Sequence, residues 1–263
     1  MSNDTWRIWN KRIEYGEILA KRARGDLPEM ESSKALAKFI KPIIQPHDQI
    51  LDVGCGVGHY LNSLDREIEL PFNYTGADAT EEYIALAKNV WQDRERQADF
   101  KVADVFALPF EPESFDIVIS ANLLLHLPSI VTPLQEMVRV SKRAVVIRTP
   151  CAKRCFRIKE VLGKPDDNLF DENGEPKEFY YFNLYSTEYL EAIIKKIAGI
   201  AKISIKTDSD FNPENIEAES RYGNRAENTT QMQGKLQANG PILMDWKIIL
   251  IEKNQQKITL TGS

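Results

Sequence analysis

The stretch that decides the fold is an apolar strand that turns through glycines into a helix, and it reads Leu51-Asp52-Val53-Gly54-Cys55-Gly56-Val57-Gly58-His59-Tyr60. Glycines let the backbone approach a ligand closely, and a helix start directs free N–H groups toward an anion. The stretch therefore predicts a nucleotide-like cofactor. The dinucleotide fingerprint G-x-G-x-x-G needs a glycine where this chain has His59, which counts against NAD or FAD.

Short apolar runs and helical periods alternate around this turn, from Ile50 to Ile147. They predict five strands separated by helices. Such alternation is typical of parallel strands joined by right-handed crossovers, which form an open, doubly wound sheet. The runs at 201–205 and 244–251 predict two more strands, so we expect an α/β fold with a seven-stranded sheet. Ligands of such sheets bind beyond the carboxyl ends of the strands.

The chain is expected to form a single domain over residues 1–263. Residues 1–45 contain two amphipathic helices and predict an N-terminal helical cap, because neither helix could bury its apolar face alone. Residues 48–150 form the predicted cofactor-binding core. The segments 151–186 and 208–240 follow predicted strands five and six, so we expect them to be insertions over the edge of the sheet where the substrate binds. The first is expected to be irregular and the second to be a polar loop.

Composition excludes several classes of protein. There are 34 basic and 39 acidic residues, a formal charge of −5, which disfavours nucleic-acid binding through the overall field. No apolar run is long enough to span a membrane and no leader precedes the first helix, so we expect a cytoplasmic protein. Cys55, Cys151 and Cys155 are expected to be free thiols, and no metal site is predicted because Cys and His do not recur at ligand spacing.

Three acidic residues stand where predicted strands one, two and three end. Asp52, Asp78 and Asp104 are separated by equal intervals of 26 residues, one crossover each. Adjacent parallel strands would place these carboxylates along one rim, about 5 Å apart per strand. A row of acids suits a ligand that is cationic and rich in hydrogen-bond donors, and S-adenosylmethionine meets that description. The alternative for each Asp is a helix cap or a solvated turn.

Four motifs in this order resemble those of the class I S-adenosylmethionine-dependent methyltransferases. The similarity covers about residues 48–150, and the motifs are Asp52-Val53-Gly54-Cys55-Gly56-Val57-Gly58, Gly76-Ala77-Asp78, Ala103-Asp104-Val105 with Leu108-Pro109-Phe110, and Ser114-Phe115-Asp116-Ile117-Val118 with Leu125-His126-Leu127. The resemblance implies a Rossmann-like, mostly parallel sheet whose last strand is antiparallel.

The resemblance also implies roles for individual residues. Asp52 and the glycine turn would hold the methionine end of the cofactor, Asp78 the ribose hydroxyls, and Asp104 with the Val105 amide the adenine. The segment after strand four would lie near the sulfonium and the acceptor. The full set of expected cofactor-binding residues is Asp52, Gly54, Cys55, Gly56, Asp78, Ala79, Asp104, Val105, Ser120, Ala121 and Asn122.

Methyl transfer from a sulfonium is an in-line displacement, so the protein mainly aligns the reactants and excludes water. A base becomes necessary when the acceptor is a hydroxyl group. His126, after predicted strand four, is the best-placed candidate, and His59 is the second. The alternative for His126 is packing near the cofactor. Trp6 and Trp9 of the N-terminal segment, with Arg7 and Arg12, are expected to close over the cofactor.

Eight basic residues and no acidic ones lie between Arg139 and Lys159. Several of these basic residues follow predicted strand five, so we expect them near the carboxyl ends of the strands, where ligands bind. We predict that an anionic acceptor meets Arg148, Lys153, Arg154 and Arg157. The alternative is a solvated surface that pairs with the acidic run at 166–178.

Together these observations predict a methyltransferase that acts on a small acceptor, anionic or sugar-like, with S-adenosylmethionine as cofactor. Three alternatives stay open: an NAD-dependent oxidoreductase or epimerase, a non-catalytic protein that binds S-adenosylmethionine, and an RNA methyltransferase. Nucleic acid and membrane are disfavoured as partners by the charge and by the lack of long apolar runs.

Overall fold

The structure is a computed structural model and describes residues 7–92, 94–162, 169–215, 231–239 and 242–254. Its centre is a twisted sheet with an apolar core on each face. One core packs beneath the four N-terminal helices and the other beneath the two helices that follow. Among the described residues, no helix combines the length and the apolar character needed to cross a bilayer.

Five parallel strands form the half of the sheet that carries the glycine turn. Their bounds are β1 Asp48–Val53, β2 Phe72–Asp78, β3 Asp99–Val102, β4 Phe115–Ala121 and β5 Ser141–Cys151. Their order across the sheet is β3-β2-β1-β4-β5. Strands β2 and β3 lie on one side of β1 and strands β4 and β5 on the other, so the order of the strands reverses at β1. This reversal opens a crevice at the carboxyl ends of β1 and β4, where ligands bind in sheets of this kind.

The last long strand is antiparallel, as expected. Strand β11, Ile242–Lys253, pairs antiparallel with β5 and with β8, Ile200–Thr207. These seven strands confirm the predicted α/β, doubly wound, mostly parallel sheet. Two further strands, β9 (Gln231–Gln233) and β10 (Leu236–Asn239), extend the sheet through the first residues of β11, which makes nine strands in the part of the chain that the structure describes. They lie within the segment 208–240 that we expected to be a loop.

Within the described ranges, six helices flank the sheet. Their bounds are α1 Ile13–Arg24, α2 Glu31–Ile40, α3 Leu61–Glu67, α4 Glu81–Trp91, α5 Val131–Val140 and α6 Thr187–Ile194, with single 3₁₀ turns at Ile8–Lys11 and Leu124–His126. In the N-terminal segment, α1 packs against α4 and α2 against α3, so the cap buries its apolar faces on the cofactor-binding half of the fold.

The segment 151–186 is more regular than expected. It contains a small antiparallel pair, β6 (Lys159–Val161) with β7 (Phe179–Tyr181). The chain continues from β7 through Asn183, whose backbone amide donates to the Leu125 carbonyl at 2.8 Å. This insertion therefore packs directly on the loop that follows β4, beside the crevice.

Candidate cofactor and acceptor site

A cavity lies over the carboxyl ends of β1, β2, β3 and β4, beneath the N-terminal segment. It brings together the three predicted carboxylates, Asp52, Asp78 and Asp104. Its floor also includes the glycine turn, Ala79, Val105, Ala121 and Asn122, all of which the sequence placed at the site. The cap side, most of which the sequence did not identify, consists of Arg7, Trp9, Asn10, Tyr15, Leu19 and Met30.

The backbone amides of the glycine turn are hydrogen-bonded to other residues of the protein. Gly54 and Cys55 donate to the Ala77 carbonyl at 2.7 and 3.1 Å, and Gly56 donates to the Asp78 carboxylate at 2.9 Å. The turn requires glycine at Gly56, where φ is +56° and a β-carbon would lie 2.8 Å from Leu19 Cδ1. These three amides are therefore committed within the protein, which differs from the free donors expected from the sequence.

Asp52 is buried where β1 ends, and it accepts a hydrogen bond from the Tyr74 hydroxyl at 2.7 Å. Burial, with a smaller contribution from the nearby Asp78 carboxylate, raises the pKa of Asp52 to about 7. Asp78 accepts amide hydrogen bonds from Gly56 and Thr80, both at 2.9 Å, and burial also raises its pKa. A cation entering the cavity would favour the charged form of Asp52, so this carboxyl group is matched to a positive ligand.

Asp104 differs from the other two carboxylates because it is paired. Its Oδ2 accepts from Arg7 at 2.7 Å and its Oδ1 from the Phe106 amide at 3.0 Å. The Asp104 side chain is 41% exposed, so the pair is screened by solvent. The N-terminal segment thus reaches the third carboxylate through Arg7, and Trp9 lines the same cavity. Trp6 lies outside the described residues.

Ser120 does not line the cavity. Its side chain is completely buried in the sheet, where Oγ donates to the Val53 carbonyl at 2.9 Å. Side chains alternate along a strand, so Ser120 and Ala121 point to opposite faces. The prediction that Ser120 contacts the cofactor is wrong, whereas Ala121 and Asn122 do line the cavity.

Asn122 is held by a chain of hydrogen bonds and has a positive φ of 59°. Arg148 Nη1 donates to its Oδ1 at 2.9 Å, and its Nδ2 donates to the Tyr60 oxygen at 3.2 Å. Tyr60 donates in turn to Ser32 Oγ at 2.7 Å. Tyr60 ends the glycine stretch in the sequence but was not among the expected site residues, so its place at the cavity was missed. The two contacts on Asn122 fix which way its amide points.

His126 also lines the cavity, with its Nδ1 2.9 Å from the Tyr181 carbonyl. A carbonyl only accepts, so this contact places the proton of the neutral ring on Nδ1 and leaves Nε2 with its lone pair. None of the described residues hydrogen-bonds to Nε2. Burial lowers the pKa of His126 to about 4, so the ring is neutral at pH 7. Trp9 packs edge-on against the imidazole at a centroid distance of 4.9 Å.

The basic run does not form a patch. Arg148 is 3% exposed and pairs with the equally buried Asp208 at 2.7 Å, while its guanidinium lies 4.1 Å from the Trp246 ring. The prediction that Arg148 binds an acceptor is therefore wrong, because its charge is already compensated inside the protein.

The remaining basic residues are spread over the surface. Arg157 donates to the Asn183 side chain at 3.1 Å, and Lys159 pairs with Glu175 at 2.8 Å, as the alternative of a solvated surface requires. Lys153 and Arg154 are exposed and do not line the cavity. Any role for these two residues in acceptor binding stays a prediction.

Among the described residues, no group of three or more His, Cys, Asp or Glu side chains is close enough to hold a metal ion. The cysteines in this part of the chain are free thiols, and Cys55 is buried in the glycine turn. Burial raises the pKa of the Cys55 thiol, so it is a small apolar side chain at this position.

Comparisons with known proteins agree with this geometry. Residues 50–144 match the family model of a methyltransferase domain. A demethylmenaquinone methyltransferase from Lactococcus lactis is 31% identical over 118 residues, which cover 41% of this chain and 47% of that protein. The chain thus matches less than half the length of this curated relative.

Solved structures share the fold at low sequence identity. A phosphoethanolamine N-methyltransferase 2 from Haemonchus contortus, in complex with S-adenosylhomocysteine, is 19% identical with a TM-score of 0.56; the match covers 84% of this chain and 52% of that one. The [4+2]-cyclase SpnF is 18% identical with a TM-score of 0.56, covering 84% and 81%. The fold alone therefore does not determine the reaction.

The glycine turn, the row of carboxylates and the strand order define a Rossmann-like cofactor-binding protein. The ordered motifs and the match at residues 50–144 make this part of the chain similar to the methyltransferase domain of class I S-adenosylmethionine-dependent methyltransferases.

Proposed function

We propose that this protein is a methyltransferase that uses S-adenosylmethionine to methylate a small, neutral compound with a hydroxyl group, sugar-like or phenolic. The observation that carries the proposal is the cavity lined by the carboxylates of Asp52, Asp78 and Asp104 and by the imidazole of His126. The cofactor would supply the methyl group, carried on a sulfonium centre. Acid side chains suit its positive charge and its hydroxyl and amine donors.

The residues of the cavity fit this cofactor. Asp52 has a raised pKa and a hydrogen bond from Tyr74, so a positive group would stabilise its charged form. Asp78 and Asp104 keep acceptor capacity after their bonds within the protein, because each carboxylate oxygen has two lone pairs. An NAD diphosphate would instead meet three acids at the ends of adjacent strands, which is unfavourable.

The charge of the cavity favours a neutral acceptor. Of the described residues that line it, Arg7 is the single cationic side chain, and it is paired with Asp104. Trp9, Tyr15 and Leu123 supply flat and apolar surfaces against which a ring can pack. The anionic acceptor expected from the basic run has no such support, because Arg148 is buried in an ion pair.

His126 would act as the base that accepts the hydroxyl proton. Its Nδ1 proton is held by the Tyr181 carbonyl, so Nε2 is the nitrogen that can accept. The low pKa of His126, about 4, keeps it unprotonated at pH 7, although it also makes the ring a weaker base than a free imidazole. The cap, which lines one side of the cavity, would exclude water during the transfer.

The proposal is tested in two steps. Titration calorimetry with S-adenosylmethionine and with NADH should show binding of the first compound alone. Tritium should then pass from labelled cofactor into a low-molecular-weight fraction of a cell extract, and His126→Phe should slow this transfer by about 10²- to 10⁴-fold while keeping cofactor affinity. Binding of NADH, label in RNA, or binding without any transfer would each favour one of the three alternatives and contradict the proposal.

A further inference from the structure

The end of the insertion, residues 181–184, contacts two parts of the protein with its two edges. On one edge, alternate backbone amides donate to other residues of the insertion. On the opposite edge, the Tyr181 carbonyl lies 2.9 Å from His126 Nδ1, and the Asn183 amide donates to the Leu125 carbonyl at 2.8 Å. In an extended chain the backbone groups of alternate residues point to the same side. One edge of the segment therefore holds the loop after β4 at two neighbouring points.

The side chain of Asn183 adds a third contact with the same loop. It is completely buried, its Nδ2 donates to the Leu127 carbonyl at 2.8 Å, and its Oδ1 accepts from Arg157 Nε at 3.1 Å. Carbonyl groups at the end of a short helical turn have no partner inside the turn. Asn183 thus supplies donors to the carbonyl groups of the residues before and after His126.

These contacts matter for the imidazole because it lies between them. A neutral imidazole carries one proton, and the hydrogen bond made by one ring nitrogen decides which nitrogen holds it. The Tyr181 carbonyl can hold the proton on Nδ1 only while the loop and the segment keep their relative position. His126 lines the cavity, whereas Asn183 does not, so Asn183 can act on the reaction only through the ring of His126.

We propose that Asn183 is a positioning residue, which holds the 3₁₀ turn at Leu124–His126 against the Tyr181 carbonyl and so keeps the proton of His126 on Nδ1. Nε2 is then the nitrogen that can accept a proton. This inference rests on the proposed function, in which Nε2 takes the proton of the acceptor hydroxyl group. The alternative is that Asn183 stabilises the fold without affecting the ring.

The tautomer of His126 can be measured without knowledge of the acceptor. The chain has three histidines, so nuclear magnetic resonance of protein labelled at the histidine ring nitrogens is simple, and the signals lost in His126→Phe belong to His126. The unmodified protein should show the Nδ1–H form at pH 7. In Asn183→Ala the ratio of Nδ1–H to Nε2–H forms should fall by about three- to tenfold, the factor for one net hydrogen bond. His59, which also lines the cavity, should keep its tautomer and is an internal reference.

Two further variants separate positioning from general stability. Asn183→Asp has nearly the same shape and keeps an acceptor for Arg157, but it has no donor for the Leu127 carbonyl, so it should shift the tautomer as Asn183→Ala does. Ser141→Ala is the matched control, because Ser141 is equally buried and its Oγ donates to the Val138 carbonyl at 3.0 Å. It lies at the start of β5, at the end of the sheet opposite the cavity. Ser141→Ala should lower the melting temperature and leave the tautomer unchanged.

A second measurement follows the reaction itself. Asn183→Ala should slow the transfer of tritium from labelled S-adenosylmethionine by about ten- to a hundredfold, since misplacing a reacting group by about 1 Å can cost that much. Calorimetry should show that its affinity for S-adenosylhomocysteine stays within about twofold of the original. Thermal melting of each variant checks that it is folded, and Asn183→Asp carries the test if Asn183→Ala does not fold.

Three results would overturn the inference. An unchanged tautomer in the variants of Asn183 would show that the Tyr181 carbonyl alone holds the proton. An equal shift in Ser141→Ala would show that any loss of stability is enough. Both results leave the methyltransferase proposal intact. If the unmodified protein transfers no tritium to any fraction, the methyltransferase proposal itself fails, and the positioning role of Asn183 fails with it.

Discussion

Replacing Arg148 by methionine should destabilise the protein strongly. Arg148 and Asp208 are 3% and 1% exposed, and the Arg148→Met variant would leave the Asp208 carboxylate buried without its partner. Methionine retains most of the length and apolar contact of the side chain, so the loss is mainly electrostatic.

Breaking a buried pair from one side costs about 3–5 kcal/mol. The Trp246 ring, 4.1 Å from the guanidinium, adds about 0.5–2 kcal/mol of cation–π attraction that is lost as well. The two losses together come to about 3.5–7 kcal/mol. For a chain of this length each kcal/mol corresponds to about 2–4 °C, so the melting temperature should fall by about 7–28 °C.

Thermal denaturation followed by circular dichroism measures this effect. The double variant Arg148→Met with Asp208→Asn removes the orphaned charge and should recover at least half of the loss. Lys153→Met, an exposed position with no partner among the described residues, is the control and should change stability by less than about 0.5 kcal/mol. A fall of less than about 2 °C for Arg148→Met, or no recovery in the double variant, would refute the assignment of a buried compensated pair.

Four further predictions concern the carboxylates. Asp52 has a pKa of about 7 against 3.8 when unfolded, so the folded state without cofactor holds this proton more tightly, and stability should fall as pH rises from about 4 to 7. Cofactor binding should release a proton near pH 7, seen by calorimetry in buffers of different ionisation enthalpy. Arg7→Ala removes the competitor for Asp104 and should raise cofactor affinity by up to about fivefold, since a half-exposed pair contributes about 0–1 kcal/mol. Asp78→Ala leaves two backbone amides without their acceptor and should lower stability by about 1–3 kcal/mol as well as weakening cofactor binding.

The last three of these predictions each have their own control. Asp52→Asn should abolish the proton release, and release that persists would assign it to another group. The gain in Arg7→Ala should shrink at high salt, because salt screens exposed pairs; a gain independent of salt would contradict the competition. Asp78→Asn keeps one acceptor oxygen and should be more stable than Asp78→Ala, so equal melting temperatures would argue against the two amide contacts.

The sequence predicted the parts of the fold that depend on local patterns. Strands β1, β2 and β4 are apolar runs next to turn residues, and the three carboxylates follow from where strands end, so the pattern of residues alone was enough to locate the row of acids. The floor of the cavity was predicted for the same reason, with the exception of Ser120. Ser120 is the exception because neighbouring side chains along β4 point to opposite faces of the sheet.

Features that depend on contacts between distant residues could not be predicted in this way. Arg148 and Asp208 are 60 residues apart, and nothing in a basic run shows which guanidinium is paired inside the protein. Strands β6, β7, β9 and β10 are only three or four residues long, too short for an alternating pattern to identify them, so the sequence did not show their pairing. The carbonyl that orients His126 likewise comes from 55 residues further along the chain.

The contact between His126 and Tyr181 links the insertion to the proposed base. Strand β7 supplies the carbonyl oxygen that holds the Nδ1 proton of His126, although none of the described residues of this hairpin lines the cavity. Replacing the hairpin would therefore disturb the proposed base from outside the cavity, unless the new backbone offers an oxygen at the same place.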